Sequence, residues 1–292
     1  VGGRSEQEIE EAEEVNEVRE RTVTIRGGSA ARARVRDDAF TTCAIAMLAS
    51  MLADQLHEGL GHAAIALLTG ARSGVLSTVA WSSVYDSRLV EAGGTLVNLA
   101  AGIAFWLLLR RARNASVQTR LLLFFSCAFN LFAGTGYFFF SGVSGFGDWA
   151  QVIAGARDHT LWRTLLVIVG IASYYGAIQI VGRGFVQYVG VPLNDARRRW
   201  RLLLWGYLSV VVLAAVSALP NPLGMALMWE SALPASAGAQ SGLLWWRHYI
   251  PSRTAPLAKS EDVGRSYAWM GAAAVLALVY IFVIGRGITL TR

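Results

Sequence analysis

Apolar runs of about 20 residues recur along this chain, and each is long enough to cross a lipid bilayer. In hydrocarbon every backbone N–H and C=O must find a partner inside the protein, and a run of this length meets that demand as a helix. The chain therefore reads as an all-α, polytopic transmembrane helix bundle of about six spans. Its composition agrees. Only 16% of the 292 residues are charged and 54% are hydrophobic, whereas a soluble domain carries about 25% charged residues.

The spans fall at about 40–69, 93–109, 118–140, 161–182, 202–219 and 267–285. Residues 222–246 are apolar but broken by Glu230 and Pro234, and they read as an interfacial or re-entrant piece. A full crossing there would make seven spans and move the C-terminus to the other side. Between the first two spans lies a polar connector, Ala71 to Glu91. Its Val75, Val79 and Trp81 would share one face of a strand, and the connector can form a short hairpin.

The net charge of +6 does not point to nucleic acid. Of 26 basic residues only Lys259 is a lysine, and the arginines mostly flank apolar runs, where they meet anionic lipid headgroups. With six spans, eighteen basic residues fall on one side and eight on the other, which places both termini in the cytoplasm. With seven spans the division is twenty against six, so charge admits both arrangements. The expected location is a bacterial inner (plasma) membrane. Residues 1–38 hold an acidic run, Glu6 to Glu20, followed by Arg32, Arg34 and Arg36. They read as a charged cytoplasmic tail or a short surface helix rather than a cleavable signal. Cys43 and Cys127 both fall in predicted spans without metal-like spacing and read as small core residues.

Within the first span stands Gln55-Leu56-His57-Glu58-Gly59-Leu60-Gly61-His62. Ionisable side chains inside a span are costly and mark a working site. Two histidines around a glutamate suit zinc: the imidazoles hold the metal and the carboxylate activates its water. The usual spacing, H-E-x-x-H, separates the histidines by four residues, or about 40° around a helix. Here they are five apart, which on an α-helix leaves them about 140° apart. A π-bulge would bring them together, with Gly59 and Gly61 supplying the backbone freedom. The longer spelling resembles the H-E-x-x-G-H zinc motif of the dipeptidyl peptidase III family, and only that hexapeptide is shared. The competing reading of His57, Glu58 and His62 is a polar cluster lining a watery cavity or bonding helices together.

Three segments together resemble the site-2 protease family of intramembrane zinc metalloproteases. They are the His57–His62 motif, Ala92-Gly93-Gly94-Thr95-Leu96-Val97-Asn98, and Phe129-Asn130 followed by Phe146-Gly147-Asp148-Trp149. The likeness covers roughly residues 40–150. It departs from the family in the extra motif residue, in Ala133-Gly134-Thr135-Gly136-Tyr137 where a Pro-rich stretch is usual, and in the wording around the aspartate. The resemblance implies a core at 39–150, with additional helices at 151–292. By it, His57, His62 and Asp148 ligate Zn2+ and Glu58 is the general base; Asn98 and Asn130 read as groups that bind substrate backbone or orient the ligands. The implied activity is hydrolysis of peptide bonds in transmembrane protein substrates, with membrane lipid as the other partner and no nucleic acid. Asp148 reads equally as the N-cap of the next helix, and the asparagines as interhelical hydrogen-bonding groups. Glu91, Asp54 and Glu230 are reserve ligands, while His159 and His248 read as surface histidines. The alternative function is a non-catalytic membrane protein, an inactive protease-like binder or a transporter, that uses the polar cluster structurally.

Overall fold

A computed structural model describes residues 37–221, 224–245 and 253–292. The tail expected at 1–38 lies almost wholly outside the described residues, as does His248. Six described helices are long and apolar enough to cross a membrane. They are α1 (Ala39–Thr69), α2 (Arg88–Arg111), α3 (Val117–Ser144), α5 (His159–Val189), α6 (Ala196–Ala218) and α7 (Tyr267–Ile284). A short helix, α4 (Asp148–Val152), follows α3. The chain is thus the mostly helical membrane bundle that its apolar runs predict, and its outer surface meets lipid.

Helix α3 is the centre of the bundle. In its most apolar stretch 67% of the residues are buried, against 17% for α7 at the edge. Phe124, Phe125, Phe129 and Phe132 of α3 form the buried aromatic core, joined by Phe185 of α5. Large aromatic side chains bury much area at little rotamer cost, and the offset contacts here suit their quadrupoles.

The connector after α1 forms the expected short hairpin, but Val75, Val79 and Trp81 do not share one face of it: Val75 stands opposite Ser82, one residue out of step with Trp81, and Val79 lies in the turn. Strand β1 (Ser73–Leu76) pairs antiparallel with β2 (Trp81–Ser82), with Leu76 opposite Trp81. A third strand, β3 (Ile288–Thr291), pairs with the other edge of β1 and sets Ser73 opposite Thr291. Sequence reading did not anticipate β3, because its four residues carry no turn signal and their partner lies about two hundred residues away.

This sheet decides the threading. At the start of α1, the Asp38 N–H donates to the Val263 carbonyl at 2.8 Å, and the Ser266 N–H to Thr41 Oγ1 at 3.0 Å. Helices α1 and α7 therefore begin side by side and end side by side at the sheet, running parallel. Asp37 and Thr291 lie at opposite ends of the bundle. Among the described residues, the two ends of the chain thus do not share a side, against the expectation from six spans.

The chain must cross once more between Ala218, beside the hairpin, and Arg253. Residues 224–245 begin that return in short helical pieces. Near the hairpin, the Ser231 hydroxyl donates to the Val79 carbonyl at 2.9 Å. Deeper in, Tyr207 and Tyr174 donate to the Ala237 and Ala239 carbonyls at 2.9 and 2.5 Å. Pro234 lacks an N–H and cannot sit in an unbroken helix. The run Ala235-Ser236-Ala237-Gly238-Ala239 is small enough to pack between α3, α5 and α6. This threading matches the seven-crossing division of twenty basic residues against six. At the twenty-residue end, Arg198 and Arg120 are buried and paired with Asp37 and Glu261 at 2.9 and 3.0 Å.

Candidate metal centre

In the middle of α1 the helix is widened. Gln55–Ala64 is π-helical, flanked by α-helical Ala39–Asp54 and Ile65–Thr69. A π-helix bonds residue i to i+5, so residues five apart share a face, as residues four apart do in an α-helix. The five-residue spacing of His57 and His62 is the one that this backbone converts into a pair. Their ring centroids lie 4.8 Å apart at 75°.

The glycines of the motif serve a different purpose from the one expected. Neither Gly59 nor Gly61 has a positive φ. A Cβ on Gly59 would meet only ordinary contacts, the nearest at 3.7 Å. At Gly61 a Cβ would lie 2.4 Å from Gly94 Cα, and at Gly93 it would lie 1.9 Å from the Gly61 carbonyl oxygen. Small residues let membrane helices approach backbone to backbone, and here they press α1 against α2 at the motif. Gly94 also clears space for the imidazoles, since a Cβ there would stand 2.4 Å from His62 Nε2 and 2.6 Å from His57 Nε2.

Asp148 arrives from the far side. Beyond Ser144 the chain turns through Gly145 at φ 71° and Gly147 at φ 85°, conformations that glycine adopts without strain. Gly147, not Asp148, occupies the N-cap position of α4, and the Asp148 carboxylate turns toward the histidines. Its Oδ2 lies 3.2 Å from His57 Nε2 and 3.5 Å from His62 Nε2. All three donor atoms lie within 4.8 Å of one another. Burial pushes the Asp148 carboxyl up, but the two imidazoles beside it outweigh burial and hold it well below the usual carboxylate range. An ionised carboxylate is the form that ligates a metal.

Two observations fit this trio to a cation. His57 Nε2 and Asp148 Oδ2 are buried without an aligned hydrogen-bond partner, and with His62 Nε2 they converge closely enough for one cation to meet all three. His62 Nδ1 lies 2.7 Å from the Val90 carbonyl oxygen. A carbonyl only accepts, so Nδ1 carries the proton, and Nε2 is the nitrogen that a metal would meet. Such an outer hydrogen bond is the usual support of a metal-ligating histidine.

Glu58 stands beside the trio. Its Oε1 lies 4.0 Å from His57 Nε2, and its Oε2 accepts from the Trp81 N–H of β2 at 2.8 Å. Glu58, His62 and Asp148 open onto a cavity of about 1190 Å³, walled also by Trp81, Tyr137 and Tyr174. Small-molecule pockets are usually about 300–1,000 Å³, so this one has room for a length of peptide. Of the reserve ligands, Glu91 and Glu230 line this cavity and Asp54 does not.

The asparagines go elsewhere. Neither Asn98 nor Asn130 lines the large cavity. Asn130 is fully buried, and its amide donates to the Ser126 carbonyl of its own helix at 2.8 Å. Asn98 lines a smaller chamber behind His57. His159 is exposed at the first position of α5.

Tyr137 belongs to the site without having been anticipated. Its ring stacks on His57 at 4.8 Å and 25° and borders both cavities. An aromatic residue in an aromatic-rich span gives no sequence signal of such a role, and neither does the backbone carbonyl of Val90. No protein-family model, curated protein or solved structure matches this chain.

Proposed function

We propose that this protein is an intramembrane zinc metalloprotease of the site-2 protease kind, hydrolysing peptide bonds of membrane-embedded substrates. One observation carries the reading: His57, His62 and Asp148 converge beside Glu58 at the wall of a peptide-sized cavity. Two imidazoles and a carboxylate are a donor set suited to a catalytic zinc with one open position. On this reading residues 39–150 form the catalytic core and residues 151–292 add helices that close the cavity.

The roles follow from position. His57 and His62 hold the metal through Nε2, and Asp148 completes the set while offsetting its charge. Bound zinc supplies a Lewis acid that polarises the scissile carbonyl and acidifies the attacking water. Glu58 takes the water's proton and returns it to the leaving amine. The Trp81 N–H holds Glu58 Oε2, which leaves Oε1 facing the metal position.

The test uses purified full-length protein, metal analysis and a model transmembrane substrate. Wild type should carry one zinc and cleave. Glu58→Gln keeps the shape without the base, so it should keep zinc and lose cleavage. Undiminished cleavage by that variant would remove Glu58 from its role. A wild-type protein without stoichiometric metal would instead favour a non-catalytic membrane protein.

A further inference from the structure

The two histidines differ in how their second nitrogen is held. His62 Nδ1 is fixed by the Val90 carbonyl, whereas His57 Nδ1 is buried without any hydrogen-bond partner. A histidine that ligates through Nε2 carries a proton on Nδ1, and that N–H almost always finds a carboxylate, a carbonyl or a water. For His57, 5% exposed, bulk solvent is not available as that partner.

Behind His57 lies a separate chamber of about 80 Å³. His57 borders this chamber and not the large cavity. Its other walls include Asn98, Gln240, Asp54, Tyr137 and Tyr280. Asn98 Oδ1 and Gln240 Oε1 are acceptors buried there without partners, in residues 1% and 4% exposed. Asn98 stands four residues after Gly94, whose face of α2 lies against the His57 ring. Residues four apart share a helix face, so Asn98 is the next side chain along that ring. Asp54 sits one turn before His57 and is held by the Gln55 amide at 2.9 Å. One unpartnered donor and two unpartnered acceptors around a polar chamber are what ordered water satisfies. A water needs about 10–15 Å³ of such space and two to four polar partners, so the chamber has room for several.

We infer that this chamber is a buried water site that bridges His57 Nδ1–H to Asn98 Oδ1 and Gln240 Oε1. Asn98 and Gln240 are then positioning residues of the metal centre, fixing the tautomer and ring orientation of His57 through water. The inference rests on the metal reading of His57, His62 and Asp148.

The test measures Zn2+ affinity of the full-length protein in detergent by chelator competition. Asn98→Leu and Gln240→Leu remove the water's acceptors and should each weaken zinc binding about 10–100-fold, the usual cost of losing an outer partner. Asn98→Asp and Gln240→Glu keep an acceptor oxygen and should stay near wild type, which a merely structural role for these side chains would not require. Wild-type affinity in both leucine variants would overturn the water site and leave the metal reading standing. A wild-type protein that binds no Zn2+ would overturn both. Where a leucine variant fails to fold, a high-resolution structure of the zinc-loaded wild type decides. Water within hydrogen-bond reach of His57 Nδ1 and Asn98 Oδ1 supports the inference, and a dry chamber overturns it.

Discussion

Gly61 of α1 and Gly94 of α2 meet with no side chain between them: a Cβ on Gly61 would stand 2.4 Å from Gly94 Cα. The same contact brings the imidazoles against α2, where the absence of a Cβ on Gly94 leaves them room. Helix packing and metal geometry are thus set at one point.

That point predicts a contrast between neighbouring glycines. Gly61→Ala forces the helices apart and should cost about 1–3 kcal/mol, the range for overpacking. Gly59→Ala meets only ordinary contacts and should be neutral, or stabilising by about 0.5–1 kcal/mol as expected of a helical glycine replaced by alanine. Gly94→Ala should lose zinc, because its Cβ would displace both histidines. Thermal unfolding in one detergent, with metal analysis of each variant, checks all three. Equal behaviour of Gly59→Ala and Gly61→Ala would discount the close approach.

Asp148 separates a ligand from a cap. Serine is as good a helix N-cap as aspartate but presents no carboxylate. Asp148→Ser should therefore keep the fold and lose zinc. Retention of full zinc content by this variant would remove Asp148 from the ligand set.

The threading predicts opposite sides for the two ends of the described bundle. A reporter placed before Ala39 and one fused after Arg292 should report different compartments, with the basic, Asp37 end cytoplasmic by the positive-inside rule. Identical locations would contradict the parallel course of α1 and α7.

The Asp37–Arg198 pair makes a stability prediction. The two side chains are 0% and 2% exposed and lie 2.9 Å apart. Removing one partner strands a buried charge, so Asp37→Ala should cost about 3–5 kcal/mol. Asp37→Leu combined with Arg198→Met strands no charge and should cost clearly less. Denaturation midpoints of the two variants test the difference.

By itself, the sequence determined the solvent and the local chemistry of this protein. Runs of twenty apolar residues leave the backbone no choice but helix in hydrocarbon. Two histidines, five apart and flanking a glutamate, demanded a widened helix if they were to share a ligand, and α1 is π-helical at that place. The polar connector Ala71–Glu91 was enough to expect the β1–β2 hairpin but not its faces, since Val75 and Trp81 lie on opposite sides of it. Tertiary structure decided what depends on partners distant in the chain. The pairing of β3 with β1 sets the side on which the C-terminus lies, and charge counts fit either side because only two basic residues, Arg286 and Arg292, follow α7. Gly61 read only as a source of backbone freedom because the sequence does not reveal that Gly93 and Gly94 would press against it. The outer partners of the histidines are a backbone carbonyl and a chamber. Neither leaves a mark on residue identity, since a carbonyl belongs to every residue and a chamber exists only after the helices have packed.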